Sequence, residues 1–273
     1  MIDDPALAAL DCAETVRDLV RRVAEGIARL LEDNLIGIYL HGSLAMGCYT
    51  EEASDIDLLV LTDGPVAFPV LREVGHLMLK ASERAPAKGF EMSVVDKRTT
   101  TPFVHPAPFL LHYSDTFRDD FRSGTVDFSK PRTDPDLAAH FTMARSRGVR
   151  LAGEPIDHAL APVPEEAFRD SIVHDARWCL SNIQLGPRVG WGRVPTYAVL
   201  NLSRVAGYLD DRTIRSKLEG GEWALNRFGE EGRQVITEAL KEYRRPGSSD
   251  PVRAEAVAAF AVSVASLFSS CTG

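Results

Sequence analysis

Leu35-Ile-Gly-Ile-Tyr-Leu40-His41-Gly42-Ser43, followed after an eleven-residue interval by Asp55-Ile56-Asp57-Leu-Leu-Val-Leu61, is the stretch that decides the fold of this 273-residue chain. The apolar run 35–40 predicts a buried strand, with Gly42-Ser43 closing it in a tight turn. The run from Asp55 to Leu61 predicts the next strand. Side chains alternate along a strand, so Asp55 and Asp57 project to one side and Ile56 to the other. Two carboxylates that close repel each other unless a cation lies between them. Hard oxygen donors in this number suit Mg²⁺ shared with phosphate oxygens. Backbone N–H groups and a hydroxyl at Gly42-Ser43 offer a place for a triphosphate. A phosphate cradle beside a carboxylate pair points to nucleotide chemistry.

A lone Asp-x-Asp is usually a solvated strand end and a lone Gly-Ser usually a turn. In this order, on two apolar strands, the pattern resembles the signature of the polymerase-beta-like nucleotidyltransferase superfamily. That resemblance implies a mixed sheet flanked by helices and transfer of a nucleoside monophosphate from an NTP with release of pyrophosphate.

The remaining chain sorts around this motif. Apolar positions Leu10, Val16, Leu19, Val20, Val23, Ile27, Leu30 and Leu31 recur at helical spacing, predicting one amphipathic helix over residues 5–32. A helix is expected around 70–82 and a third strand over 89–95. A Pro/Thr-rich loop over 99–108, a short strand over 109–113 and a helix over 136–147 follow. Three prolines and a glycine between Gly153 and Pro164 mark a linker. Beyond it, helices are expected near 165–185, 195–210, 218–228, 230–244 and 253–269. The fold expectation is thus an α/β nucleotidyltransferase domain, 1–157, and an all-α helical bundle, 158–273.

Composition bounds the function. The chain carries a net charge of −8, which argues against a general nucleic-acid binder and is compatible with a cationic small partner. No basic leader opens the sequence and no uncharged apolar run reaches a membrane-spanning length, so a cytoplasmic protein without membrane attachment is expected. Cys12, Cys48, Cys179 and Cys271 are scattered without metal-ligand spacing, so reduced thiols are expected.

Glu91 lies on the third strand between Phe90 and Met92, which point to the opposite face. A third carboxylate near Asp55 and Asp57 would complete a metal site or take a proton from an attacking hydroxyl; general base is the preferred role.

The second half is similar to the helical domain of bacterial aminoglycoside O-adenylyltransferases, the streptomycin- and spectinomycin-modifying branch. Leu200-Asn-Leu-Ser-Arg204-Val, Ser216-Lys217-Leu-Glu-Gly-Gly-Glu222-Trp223-Ala-Leu225 and Tyr243 carry the similarity. It implies that Asp55 and Asp57 bind Mg²⁺, that Ser43 and Ser54 help hold ATP, and that Glu91 is the base. It implies further that Arg204, Lys217 and Tyr243 close on the nucleotide in a cleft between domains; Trp223 is expected in the core. The departures lie on the acceptor side. Thr116 stands where the family's known streptomycin and spectinomycin modifiers have tryptophan, and Gln184–Val194 lacks their acidic residues. Asp115, Asp119, Asp175 and Trp191 are candidate substitutes, while His41 and His112 are read as structural.

The expected function is Mg²⁺-dependent transfer of AMP from ATP to a hydroxyl of an aminoglycoside or aminocyclitol by a monomeric enzyme. The alternatives are the same chemistry on another small-molecule or protein hydroxyl, and a non-catalytic nucleotide-binding regulator.

Overall fold

The computed structural model describes residues 2–86, 88–130, 132–185 and 195–269. The chain forms two compact units, Met1–Phe168 and Arg169–Gly273. In the first unit α1 (Asp4–Ala8) and α2 (Glu14–Leu31) precede β1 (Leu35–His41), α3 (Gly42–Ala45), β2 (Ile56–Thr62), α4 (Phe68–Ser82) and β3 (Phe90–Asp96). Then come β4 (Ala107–Phe109), β5 (Leu111–Tyr113), α5 (Arg118–Ser123), β6 (Arg132–Asp134), α6 (Leu137–Arg147), β7 (Val149–Gly153) and α7 (Ile156–Ala159). Helix α8 (Glu165–Leu185) runs into the second unit, which holds α9 (Thr196–Asp211), α10 (Lys217–Ala224), α11 (Glu230–Arg244) and α12 (Ala254–Ser269).

The main sheet is mixed, in the order β5-β3-β2-β1-β7. β1 runs antiparallel to both β2 and β7, whereas β2 and β3 are parallel and β3 and β5 antiparallel. Parallel neighbours need a crossover, and α4 supplies it. One face of the sheet presents Ile38, Leu40, Leu58, Val60, Met92 and Val94 to a core shared with Val20, Val23 and Ile27 of α2 and Val74 and Met78 of α4. The other face packs Tyr39, Leu59, Leu61 and Val95 against Leu137, Phe141 and Ala144 of α6. Asp57 and Glu91 lie at the polar end of this second face.

Four local expectations are corrected. The helix expected over 5–32 is two helices, because the chain breaks between Ala9 and Ala13, where the Arg17 guanidinium donates to the carbonyls of Leu10 and Cys12 (3.1 and 2.6 Å). Leu7 and Leu10 are still buried in the core that α2 joins, which is why the apolar period runs through the break. Gly42-Ser43 opens the one-turn helix α3 rather than a tight turn. The strand expected over 109–113 is two strands in different sheets, β4 pairing with β6 and β5 with β3. The segment 153–164 is docked rather than free. Gly153 ends β7 at φ +82° with Ile36 O 2.0 Å from where a Cβ would sit, and the Tyr39 hydroxyl donates to Glu154 O at 2.9 Å.

In the second unit α9 buries Val199, Leu200, Leu202, Val205 and Ala206 together with Asn201 and Ser203. A helix buried on nearly all sides is central, and α10, α11 and α12 all pack on it. The five helices expected from periodicity and Gly/Pro breaks are all present. Among the described residues no helix is long and apolar enough to cross a membrane.

Candidate active site

Strand register brings the acidic residues together. His41 at the end of β1 pairs with Asp57 near the start of β2, and Asp57 pairs with Glu91 near the start of β3. Asp55 precedes β2 by one residue. Carboxylate oxygens of Asp55, Asp57 and Glu91 all lie within 4.8 Å of one another, each residue half-buried. This convergence of acidic oxygens at adjacent strand ends has the donor chemistry of a divalent hard cation.

The Gly42-Ser43 step is shaped around this cluster. Gly42 has φ +65°, and a Cβ there would meet Asp57 Oδ2 at 1.8 Å. Glycine therefore serves twice, adopting a left-handed backbone and letting the carboxylate lie against it. The next residue, Ser43, has its Oγ buried with no hydrogen-bond partner. Buried hydroxyls are nearly always paired, and an orphan beside a carboxylate cluster is what a ligand-accepting group looks like. Ser54 is buried, and its Oγ accepts from the Thr50 amide at 3.1 Å, tying down the loop before Asp55.

Histidines border the cluster. His140 Nε2 on α6 lies 3.7 Å from Glu91 Oε1. The His140 ring also packs on that of His41, with centroids 4.9 Å apart. Burial, and then the neighbouring His140, hold the His41 imidazole well below its usual pKa, so it is neutral. His112 on β5 shares a 3.0 Å hydrogen bond with Ser93 through Nδ1. Burial lowers its pKa, with Glu91 and Asp134 pulling the other way. His41 and His112 thus stand beside the acidic cluster. His140 escaped the sequence reading, although a histidine among Leu137, Phe141 and Ala144 at helical spacing is a legible signal.

In the helical unit, Arg204 is held by its own helix and by α8. Its Nε donates to Asn201 Oδ1 at 2.6 Å, and Asn201 Nδ2 donates to Asp175 Oδ2 at 2.8 Å. Arg204 Nη2 lies 3.8 Å from that same Asp175 oxygen. Asn201 is fully buried, so α9 places a polar side chain in its core to orient this guanidinium. A capping box between Ser216 and Glu219 starts α10 and sets Lys217 in its first turn. Lys217 Nζ stands 4.6 Å above the Tyr197 ring, and the Tyr197 hydroxyl bonds Asp175 (3.3 Å to Oδ2). Arg204 and Lys217 thus belong to one polar cluster with Asp175, Tyr197 and Asn201, the last of which sequence reading passed over. Tyr243 is buried in α11. Trp223, expected in the core, is instead half-buried between the guanidiniums of Arg215 and Arg227, at 5.5 and 4.7 Å.

Two family models divide the chain between them. Residues 20–100 match the nucleotidyltransferase domain, and residues 158–266 match the C-terminal domain of aminoglycoside adenylyltransferase. Both halves of the chain thus resemble the aminoglycoside adenylyltransferases, and the protein is a nucleotidyltransferase of that kind. Aminoglycoside (3'') (9) adenylyltransferase of Klebsiella pneumoniae is 27% identical over 227 residues, spanning 80% of this chain and 81% of that one. Spectinomycin 9-adenylyltransferase of Staphylococcus aureus is 24% identical over 219 residues, spanning 79% and 80%. The crystal structure of spectinomycin adenyltransferase AAD(9) from Enterococcus faecialis, solved with ATP and spectinomycin, shares the fold with a TM-score of 0.76 at 19% identity. It aligns over 92% of this chain and 98% of that one.

Against this family background the candidate acceptor residues fare unequally. Asp115 and Asp119 each pair with an arginine three residues on, Arg118 at 2.5 Å and Arg122 at 2.6 Å. Thr116 lies exposed in the single 3-10 turn formed by Asp115–Phe117. Asp175 is committed to Asn201 and Tyr197. Trp191, most of the segment 184–194 and Cys271 lie outside the described residues.

Proposed function

We propose that the protein transfers AMP from ATP to a hydroxyl of an aminoglycoside or aminocyclitol and releases pyrophosphate. The observation that carries this is the convergence of Asp55, Asp57 and Glu91 beside the Gly42-Ser43 step, in a chain that resembles the adenylyltransferases. The Klebsiella and Staphylococcus relatives are named for aminoglycoside and spectinomycin adenylylation.

The residue roles follow from charge and position. Asp55 and Asp57 would hold Mg²⁺; the close-set oxygens, the cradle at Gly42 and the orphan Ser43 hydroxyl fit that ion with a triphosphate. When bound, Mg²⁺ supplies neutralisation of the triphosphate and orientation of the pyrophosphate leaving group. Gly42 and Ser43 receive phosphate oxygens, with Ser54 holding the loop beneath them. Glu91 removes the proton of the acceptor hydroxyl as its oxygen attacks the α-phosphorus, a contribution of about 10²–10⁴-fold. Arg204, Lys217 and Tyr243 bind the nucleotide, with Arg204 pre-set by Asn201. The acidic chain, at net charge −8, suits a cationic acceptor and not a nucleic acid.

A second reading keeps this chemistry with a different sugar-like acceptor. It is favoured by Asp115 and Asp119 being engaged by their own arginines and by threonine at position 116.

The test is mass spectrometry of each compound in an aminoglycoside and aminocyclitol panel after incubation with protein and Mg·ATP. One compound gaining the mass of an AMP group supports the first reading. ATP-dependent modification of none of them, by a protein that binds Mg·ATP, favours the second.

A further inference from the structure

His140 occupies a position that an aliphatic side chain would fill. Leu137, His140, Phe141 and Ala144 form the i, i+3, i+4, i+7 stripe of α6, and the three apolar members are fully buried. His140 itself is half-buried, its side chain 21% exposed, so this stripe carries one polar ring at its edge. Here the ring meets one other ring and one carboxylate. His41, itself 3% exposed, lies against its face, and the Glu91 carboxylate lies 3.7 Å from Nε2. Asp57 flanks Glu91 in register from β2, and His112 reaches it from β5. Of these groups, His140 is the one from an element outside the sheet.

We infer that His140 is a positioning residue for Glu91: its Nε2–H holds Oε1 of the carboxylate in the orientation that receives the acceptor's proton, while His41 packs on the ring of His140. The inference rests on Glu91 being the general base. A base must be held in line with the hydroxyl it deprotonates, and a misplacement of about 1 Å can cost about 10²-fold in rate. At 3.7 Å the pair is a close electrostatic contact, and a small side-chain rotation brings it to hydrogen-bond length. His41 is 3% exposed and packs on His140, so it contributes shape to the wall behind that ring. An aliphatic residue at 140 would remove this polar contact with Glu91 Oε1.

The test compares wild type, His140→Ala, His140→Gln and both changes in a Glu91→Gln background. The assay is steady-state pyrophosphate release with Mg·ATP and the panel compound turned over fastest. His140→Ala should lower kcat by about 10²-fold, with KM for ATP within twofold of wild type. Gln, whose amide N–H reaches to about the same place, should restore most of the rate. In the Glu91→Gln background the His140→Ala change should have no further effect, because there is no base left to position. A kcat within twofold of wild type for His140→Ala overturns the inference. So does an equal loss in both backgrounds, or a loss that Gln does not relieve with thermal unfolding unchanged. Glu91→Gln alone separates the two claims: wild-type turnover there removes Glu91 as base, whereas a dead Glu91→Gln beside an active His140→Ala removes His140 only. A wild type that releases no pyrophosphate with any compound overturns both.

Discussion

The Oδ2 of Asp57 lies 1.8 Å from the point where a Cβ on residue 42 would sit, so the carboxylate and the glycine share one space. Gly42→Ala must displace the carboxylate and force a side chain into the left-handed region at φ +65°. The conformational part alone costs about 1–2 kcal/mol. The variant should lower the denaturant midpoint accordingly and abolish nucleotide transfer. Gly47→Ala, at φ +68° with open space around it, is the control: it should show a similar stability loss and retain transfer. Equal activity in the two variants would contradict the shared-space account.

Glu91→Gln keeps the size of the side chain and removes its basicity. It should bind Mg·ATP with wild-type affinity by calorimetry while kcat falls about 10²–10⁴-fold. A parallel loss of nucleotide binding would assign Glu91 to the metal instead.

Asn201 ties Arg204 to Asp175 from a fully buried position. Asn201→Ala leaves both partners short of a hydrogen bond, a cost of about 1–3 kcal/mol. It should also raise KM for ATP with little change in kcat, because the guanidinium loses its orientation. Unchanged KM would remove Arg204 from the nucleotide site.

Asp211 and Arg215 supply a pH-dependent contribution at the end of α9. The Arg215 guanidinium donates to Asp211 Oδ1 at 2.8 Å, and this hydrogen bond, foremost, holds the Asp211 carboxyl well below its unfolded value of about 4. A folded pKa below the unfolded one stabilises the protein above the unfolded pKa, and that stability is lost as pH falls through the folded pKa. Asp211→Asn should therefore lower Tm at pH 7, and the gap to wild type should narrow progressively below pH ~4. A gap independent of pH would assign the effect to packing.

The acidic cluster was legible because strand alternation sets Asp55 and Asp57 on one side and the resembled fold brings the third strand near. The parallel register that sets Glu91 opposite Asp57 is seen only in the structure. The helical unit was legible in the same way, through periodicity broken by Gly and Pro. What escaped depends on tertiary contact. Val149–Gly153 became a strand only because β1 offers it an edge, and Gly153, read as a linker residue, is needed to pass Ile36 O. The break between α1 and α2 has no proline or glycine to announce it and is held by Arg17 from the following turn. Trp223 is half-buried with two guanidiniums near its ring, a pairing that linear spacing does not reveal. His140 and Asn201 are polar residues within apolar stripes, a signal present in the sequence, but their partners Glu91 and Asp175 come from other elements.

The most direct measurement is pyrophosphate release by wild type and Asp57→Ala with Mg·ATP across the aminoglycoside and aminocyclitol panel, with and without a chelator. The account predicts release that depends on one compound, is removed by the chelator, and falls by at least about 10²-fold in Asp57→Ala, the loss of several kcal/mol of charge stabilisation. Compound-dependent release that survives in Asp57→Ala would contradict it.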